Sequence, residues 1–269
     1  VERPIRLLDP GARQLAYTLE GPAGAPVVMF SNSLGTALSS WQAQAEALSR
    51  HVRVLRYDTR GHGMSGLAGA QAHSPGRAYT LAQLGGDVLR LLDALDIETV
   101  DFCGISMGGL TGLWLGVHAG PRLRRLVVAN SAARIGTEEG WTARAEQVLA
   151  HGMGPVAAGA AGRWFTPDFR ARAPTAVDGL VGQLQACDPR GYAACCLALA
   201  QADLREEVAR ISVPTLLVAG REDSLTTVDD ARWLQARIAA ARCVELPASH
   251  LSSVETEAEF TRHLQRFLG

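Results

Sequence analysis

Six short apolar runs recur along the chain and leave little choice of architecture: PVVMFS (26–31), HVRVLRYD (51–58), TVDFCG (99–104), RLVVAN (125–130), PTLLVAG (214–220) and RCVELP (242–247). Most are apolar at consecutive rather than alternate positions, so strands built from them must be covered on both faces. The segments between them carry helical spacing. Thr80 is placed to cap a helix whose apolar stripe is Leu81, Leu84, Val88, Leu91, Leu92 and Leu95. Residues 107–118 and 228–240 read likewise, and 255–268 closes the chain with Phe260, Leu264 and Phe267 on one side. This alternation predicts an α/β fold, a mostly parallel sheet with helices on both faces. Ahead of the first run, IRLL (5–8) and RQLAYTLE (13–20) read as an antiparallel edge hairpin turning at Asp9-Pro10-Gly11.

The alternation stops between Ser131 and about Arg210, where the sequence turns helix-like and rich in Ala, Gly and Trp. Some 80 residues between two strands are too many for a simple crossover. The expected division is a core of residues 1–130 and 211–269 and a helical cap of residues 131–210. Such a cap would lie over the sheet's C-terminal edge, where α/β folds place their ligands.

Composition narrows the possible roles. A net charge of −1 without a basic block removes the electrostatics of nucleic-acid binding. No apolar run approaches the roughly 18–20 residues a membrane crossing needs. The N-terminal VERPIRLLDPG has no apolar core of the signal-peptide kind. Cys103, Cys187, Cys195, Cys196 and Cys243 are odd in number and show no C-x-x-C spacing, so reduced, buried thiols are expected and no metal site. These features together point to the cytoplasm.

The chemistry concentrates at Gly104-Ile105-Ser106-Met107-Gly108, a G-x-S-x-G between a strand and a helix. A turn that tight excludes side chains at the flanking positions. It leaves the serine hydroxyl exposed, with the following N–H facing the place where an oxyanion would form. That is a nucleophile elbow of the α/β-hydrolase kind, and the order serine, acid, histidine directs the search for its partners. Of seven histidines, His250 alone lies in the loop directly after the last strand, Pro247-Ala248-Ser249-His250-Leu251; His51, His62, His73, His118, His151 and His263 fall in other loops, the cap or helices. Strand PTLLVAG runs into Arg221-Glu222-Asp223, which puts Asp223 at the strand mouth, with Glu222, Asp229 and Asp230 as rivals. Asn130, at the end of the preceding strand, cannot serve as an anion. The loop after PVVMFS supplies Leu34 N–H as a second oxyanion donor beside Met107 N–H. Residues 58–65, Asp-Thr-Arg-Gly-His-Gly-Met-Ser, resemble a scaffold segment of α/β-hydrolases in which Arg60 ties loops together.

Beyond the triad, the chain closely resembles the 3-oxoadipate enol-lactonases. The resemblance is carried by SNSLGT (31–36), VLRYDTRGHGMS (54–65), FCGISMGGLTGLWLG (102–116), NSAARIG (130–136), RWFTPDF (163–169), GYAACCLAL (191–199) and ASHLSSVE (248–255). One departure is Ser224-Leu225-Thr226, where relatives often carry a proline turn, and it is expected to alter loop shape without touching the acid. The resemblance implies hydrolysis of a five-membered enol-lactone bearing an acetate arm, with no metal or organic cofactor and an anionic small-molecule lactone as substrate, with neither nucleic acid nor membrane as partner. An arginine should meet that carboxylate bidentately. Arg134, in NSAARIG at the rim of the sheet, is the candidate, with Trp141 and Trp164 as apolar walls and Arg163 as a rival. The alternative for Arg134 is a salt bridge between cap and core, or a solvated charge. A general carboxylesterase or cofactor-free perhydrolase on the same fold remains open, as does a non-catalytic ligand-binding homologue. Serine at the elbow disfavours haloalkane dehalogenase, whose chemistry needs aspartate there.

Overall fold

Consecutive apolar residues do form strands buried on both faces. All residues of β3 (Val27–Ser31) and β5 (Val100–Ile105) are buried. The structure is a computed structural model that describes residues 4–9, 14–67 and 78–269. With β1 (Arg6–Leu8), β2 (Leu15–Glu20), β4 (Arg53–Tyr57), β6 (Leu123–Ala129), β7 (Thr215–Gly220) and β8 (Ala241–Leu246), these strands make one eight-stranded sheet in the order β1-β2-β4-β3-β5-β6-β7-β8. Strands β4, β3, β5, β6, β7 and β8 run parallel. β1 and β2 pair antiparallel at the edge, as the hairpin reading expects, while its Pro10-Gly11 turn lies outside the described residues.

Around the sheet, α1 (Gln42–Leu48) packs beside the C-terminal α12 (Glu257–Leu268), and α2 (Leu81–Ala94) beside α3 (Met107–His118). Thr80 caps α2 in a reciprocal box with Gln83. Two helix readings need correction. The helix expected over 228–240 is α10, Val228–Gln235. Buried Ile238 keeps helical spacing from Leu234, but the chain has already turned toward β8, so periodicity alone overran the end. The helix expected over 255–268 is broken at Thr256, whose φ of −122° and ψ of 46° leave the helical region between the short α11 (Ser252–Glu255) and α12.

Between β6 and β7 the chain carries six helices: α4 (Glu138–His151), α5 (Gly154–Ala158), α6 (Ala160–Trp164), α7 (Pro167–Arg172), α8 (Pro174–Gln185) and α9 (Pro189–Gln201). Prolines open α7, α8 and α9, where a missing N–H costs nothing. This helical insertion meets the core where α9 reaches the loop after β4. A Cβ on Gly191 would stand 2.6 Å from the Gly61 Cα, so two backbones touch with no side chain between them. Asp58 fixes that loop by accepting from Leu38 N–H (2.7 Å) and Met64 N–H (2.8 Å). Arg60 binds Asp87 of α2 with both prongs, at 2.6 and 2.7 Å, which is the loop-tying role expected of it.

The Gly191 contact yields a stability prediction. Alanine is a better helix former than glycine by about 1 kcal/mol. Here its methyl would strike unyielding backbone, and overpacking of that kind costs about 1–3 kcal/mol. Gly191→Ala should therefore lower the urea midpoint despite its helix propensity. A raised midpoint would show that the seam can open.

Candidate active site

Strand β5 delivers Ser106 to the C-terminal edge of the sheet in a strained state, with φ 56° and ψ −118°. Backbone bonds hold it there: Ser106 N–H donates to Ala129 O, and Leu110 N–H donates to Ser106 O, each at 2.9 Å. Ser131 Oγ also donates to Ser106 O, at 2.8 Å. The motif glycines make the turn possible by close approach. A Cβ on Gly104 would lie 2.1 Å from the Gly108 carbonyl oxygen, and one on Gly108 would lie 2.3 Å from Ser31 O. The elbow thus folds back on its own strand and lets the loop after β3 come alongside.

His250 stands in the loop after β8, buried, with Nε2 2.9 Å from Ser106 Oγ and Nδ1 2.8 Å from Asp223 Oδ2. Asp223 Oδ2 also accepts from Asn130 Nδ2 (3.0 Å) and Thr226 Oγ1 (2.8 Å), while Oδ1 accepts from Leu225 N–H (2.8 Å) and Thr226 N–H (3.2 Å). Burial by itself pushes this carboxyl upward. The His250 hydrogen bond and charge, with the Asn130 and Leu225 bonds, outweigh it and bring Asp223 down to about 2. The three rivals stand elsewhere. Glu222 is exposed, Asp230 closes a capping box on α10 with Thr227, and Asp229 faces Arg232 at 3.6 Å.

The Ser224-Leu225-Thr226 segment was expected not to touch the acid, and the structure corrects this. Two of its backbone amides and one hydroxyl satisfy the Asp223 carboxylate. Asn130 also does more than fill the place of an alternative acid. From a left-handed backbone (φ 43°) its amide donates to Asp223 and to Ser249 O (3.1 Å), and its carbonyl accepts from Ser252 Oγ.

Leu34 is buried in the loop after β3, and Met107 opens α3, whose first-turn N–H groups have no partner within the helix. Neither amide finds an acceptor among the described residues.

A cavity of about 200 Å³ opens onto Ser106 and His250, walled by Ile135, Trp141, Arg144 and Leu225. A larger depression of about 660 Å³ lies at the opposite end of the strands, around Arg125, Pro214 and Ala241, and no triad residue reaches it. Of the residues expected to read the substrate, Trp141 lines the cavity. Arg134 does not: it turns to Asp203 at 3.5 Å, a part-exposed pair within residues 131–210 and so not the cap-to-core salt bridge that the sequence left open. Trp164, the last residue of α6, is buried and does not line the cavity, and its carbonyl accepts from Leu251 N–H at 3.1 Å. Arg163 donates to Val156 O at 2.6 Å; burial and the neighbouring charge of Arg144 push its guanidinium below the usual range.

Sequence reasoning missed Arg144. Its guanidinium lies 5.1 Å from the centroid of the Trp141 ring, and it forms no ion pair with a carboxylate among the described residues. The available signal was spacing, because a residue three beyond Trp141 on a helix shares its face. Also among the described residues, no group of three His, Cys, Asp or Glu side chains is placed to hold a metal ion, and no helix is long and apolar enough to cross a membrane.

This arrangement coincides with a family. The model described as serine aminopeptidase, S33, matches residues 25–246. The chain is 43% identical over 264 residues to 3-oxoadipate enol-lactonase 1 of Acinetobacter baylyi, covering 98% of this chain and 96% of that one. It is 45% identical over 251 residues to 3-oxoadipate enol-lactonase 2 of the same organism, covering 93% and 91%. The chain belongs to the 3-oxoadipate enol-lactonase family. The crystal structure of the enol-lactonase from Burkholderia xenovorans superposes with a TM-score of 0.92 at 43% identity, covering 98% of this chain and 99% of that one. Family membership thus extends through the helical insertion, the part of an α/β-hydrolase that varies most with substrate. The S33 match ends at residue 246, before His250, whereas the lactonase likeness spans nearly the whole chain.

The depressed Asp223 carboxyl makes a pH prediction. Its folded value of about 2 lies below the ordinary 3.8, so the ionised group adds stability above about pH 4, which fades as pH falls through 2. The stability gap between wild type and Asp223→Asn should be widest above about pH 5 and close through the acid range. Denaturant melts across pH measure it; a gap independent of pH would contradict this account of the site.

Proposed function

We propose that the chain hydrolyses 3-oxoadipate enol-lactone to 3-oxoadipate in the β-ketoadipate pathway, with Ser106 as nucleophile. One observation carries the proposal: a serine–histidine–aspartate relay opens into a small cavity whose only charged wall, Arg144, lacks a counterion among the described residues. Residues 131–210 act as the cap that carries this arginine.

The steps follow from the atoms. His250 Nε2 takes the Ser106 proton as Oγ attacks the lactone carbonyl, and ionised Asp223 stabilises the imidazolium that forms. Leu34 and Met107 N–H receive the oxyanion. As the tetrahedral centre collapses, the ring C–O bond breaks, the enolate leaves with a proton from His250, and the resulting enol tautomerises to the ketone. Water, deprotonated by His250, then cleaves the acyl-serine ester, releasing 3-oxoadipate and restoring the serine.

Removal of a carboxylate from water without a partner costs several kcal/mol. Arg144 answers that need from the cavity wall, stacked on Trp141, where Arg134 is engaged with Asp203. Arg144→Ala should therefore lower kcat/KM by about 2–4 kcal/mol for the anionic lactone and little for a lactone without the acetate arm. Equal losses on both substrates would remove Arg144 from carboxylate recognition.

Ser106→Ala should reduce turnover by roughly 10³–10⁶-fold with the fold intact. Comparing wild-type kcat/KM on the enol-lactone and on p-nitrophenyl acetate tests the substrate. A higher value on the simple ester would replace the lactonase reading with a general esterase.

A further inference from the structure

Both neighbours of His250 have their amides tied down, and both ties lead to the helical insertion. Leu251 N–H donates directly to Trp164 O, at 3.1 Å. Ser249 N–H donates to Glu255 Oε2 at 2.9 Å. The same carboxyl accepts from Thr166, from its N–H at 3.2 Å and from its hydroxyl. Thr166 in turn caps α7, its Oγ1 accepting from Phe169 N–H at 3.3 Å. Glu255 is 4% exposed and forms no ion pair among the described residues; Arg172, the nearby cation, donates to its backbone carbonyl instead, at 3.1 Å. Burying a carboxyl without a cation is a poor way to stabilise a fold. Every donor it takes belongs either to the histidine loop or to the start of α7.

We infer that Glu255 is a positioning residue for His250, clamping the loop of the base to the helical insertion so that seating the insertion also aims the imidazole. This rests on His250 as the general base and goes beyond the lactonase reading, since any ester cleaved by Ser106 would depend on it. The carboxyl suits the task because both of its oxygens accept. A glutamine of the same shape has one oxygen and one NH₂, which would confront either Ser249 N–H or Thr166 with a donor.

The test is Glu255→Gln on two reactions that do not use Arg144: turnover of p-nitrophenyl acetate, and modification of Ser106 by phenylmethanesulfonyl fluoride, in which His250 must take the serine proton. Small displacements of catalytic groups carry large rate penalties, so both rates should fall in parallel by about 10–100-fold, with KM changed less than about threefold. Unchanged rates with a lowered melting temperature would reduce Glu255 to a structural tie and overturn the inference. A rise in KM alone would overturn it too, by placing the effect on the pocket. If Glu255→Gln does not fold, Thr166→Val carries the test, with Thr166→Ser as the variant that keeps the hydroxyl. Parallel losses in the first and rescue in the second are expected, and full rates in Thr166→Val overturn the inference. His250→Ala is measured alongside; turnover within about tenfold of wild type there would remove His250 as the base, a failure distinct from that of Glu255.

Discussion

Taking a carboxylate out of water costs several kcal/mol unless donors replace the hydration it loses. Asp223 obtains its donors from three stretches far apart in sequence: Asn130, Leu225 with Thr226, and His250. They converge because the ends of β6, β7 and β8 are neighbours in the sheet. The strand order therefore comes before the chemistry: interrupting the β6-β7-β8 succession would take Asn130 and His250 away from the acid and leave it only the local donors of Leu225 and Thr226. The same condition keeps the imidazole in one tautomer, since Nδ1 must donate to Asp223 if Nε2 is to accept from Ser106.

A second demand is local. Ser106 occupies a backbone region that L-residues avoid, a strain of order 1–3 kcal/mol that persists only when the surroundings over-determine it. The determination is mutual contact of backbones: Gly104 against Gly108, and Gly108 against Ser31. The closeness that imposes strain on the serine also brings the Leu34 loop beside the Met107 amide, so strain and a pair of amides with no acceptor among the described residues share one origin.

How much of this was legible in the sequence depended on the range of the interaction. Strands covered on both faces announce themselves through consecutive apolar residues, and the spacing of Thr80 and Gln83 announces a capped helix; both signals are local. Ser106 stood out because a tight elbow needs its two glycines, and Asp223 and His250 because they follow their strands directly. Asn130 and Thr226 were opaque, since a small polar side chain shows no sign of the partner it will meet; Asn130 and Asp223 are 93 residues apart. Arg134 illustrates a different failure. Proximity to the end of β6 suggested the cavity, but Asp203, which arrives only at the end of the insertion, captured its charge. The residue that does line the cavity, Arg144, lies one helical turn beyond Trp141, and position on a helix face decided its direction where distance along the chain did not.

The Gly61–Gly191 contact also bears on how such a protein can change what it accepts. Side chains at an interface can adopt new rotamers and let one body slide over another. Two apposed backbones have no such freedom, so α9 has no graded series of neighbouring seats on the loop after β4. Divergence toward bulkier or differently charged esters is thereby channelled into the wall itself, to Trp141 and Arg144 on α4 and to Ile135 and Leu225 on the loops beside the cavity. The hinge of adaptation is the set of side chains facing the serine, and the insertion above them serves as a fixed mould.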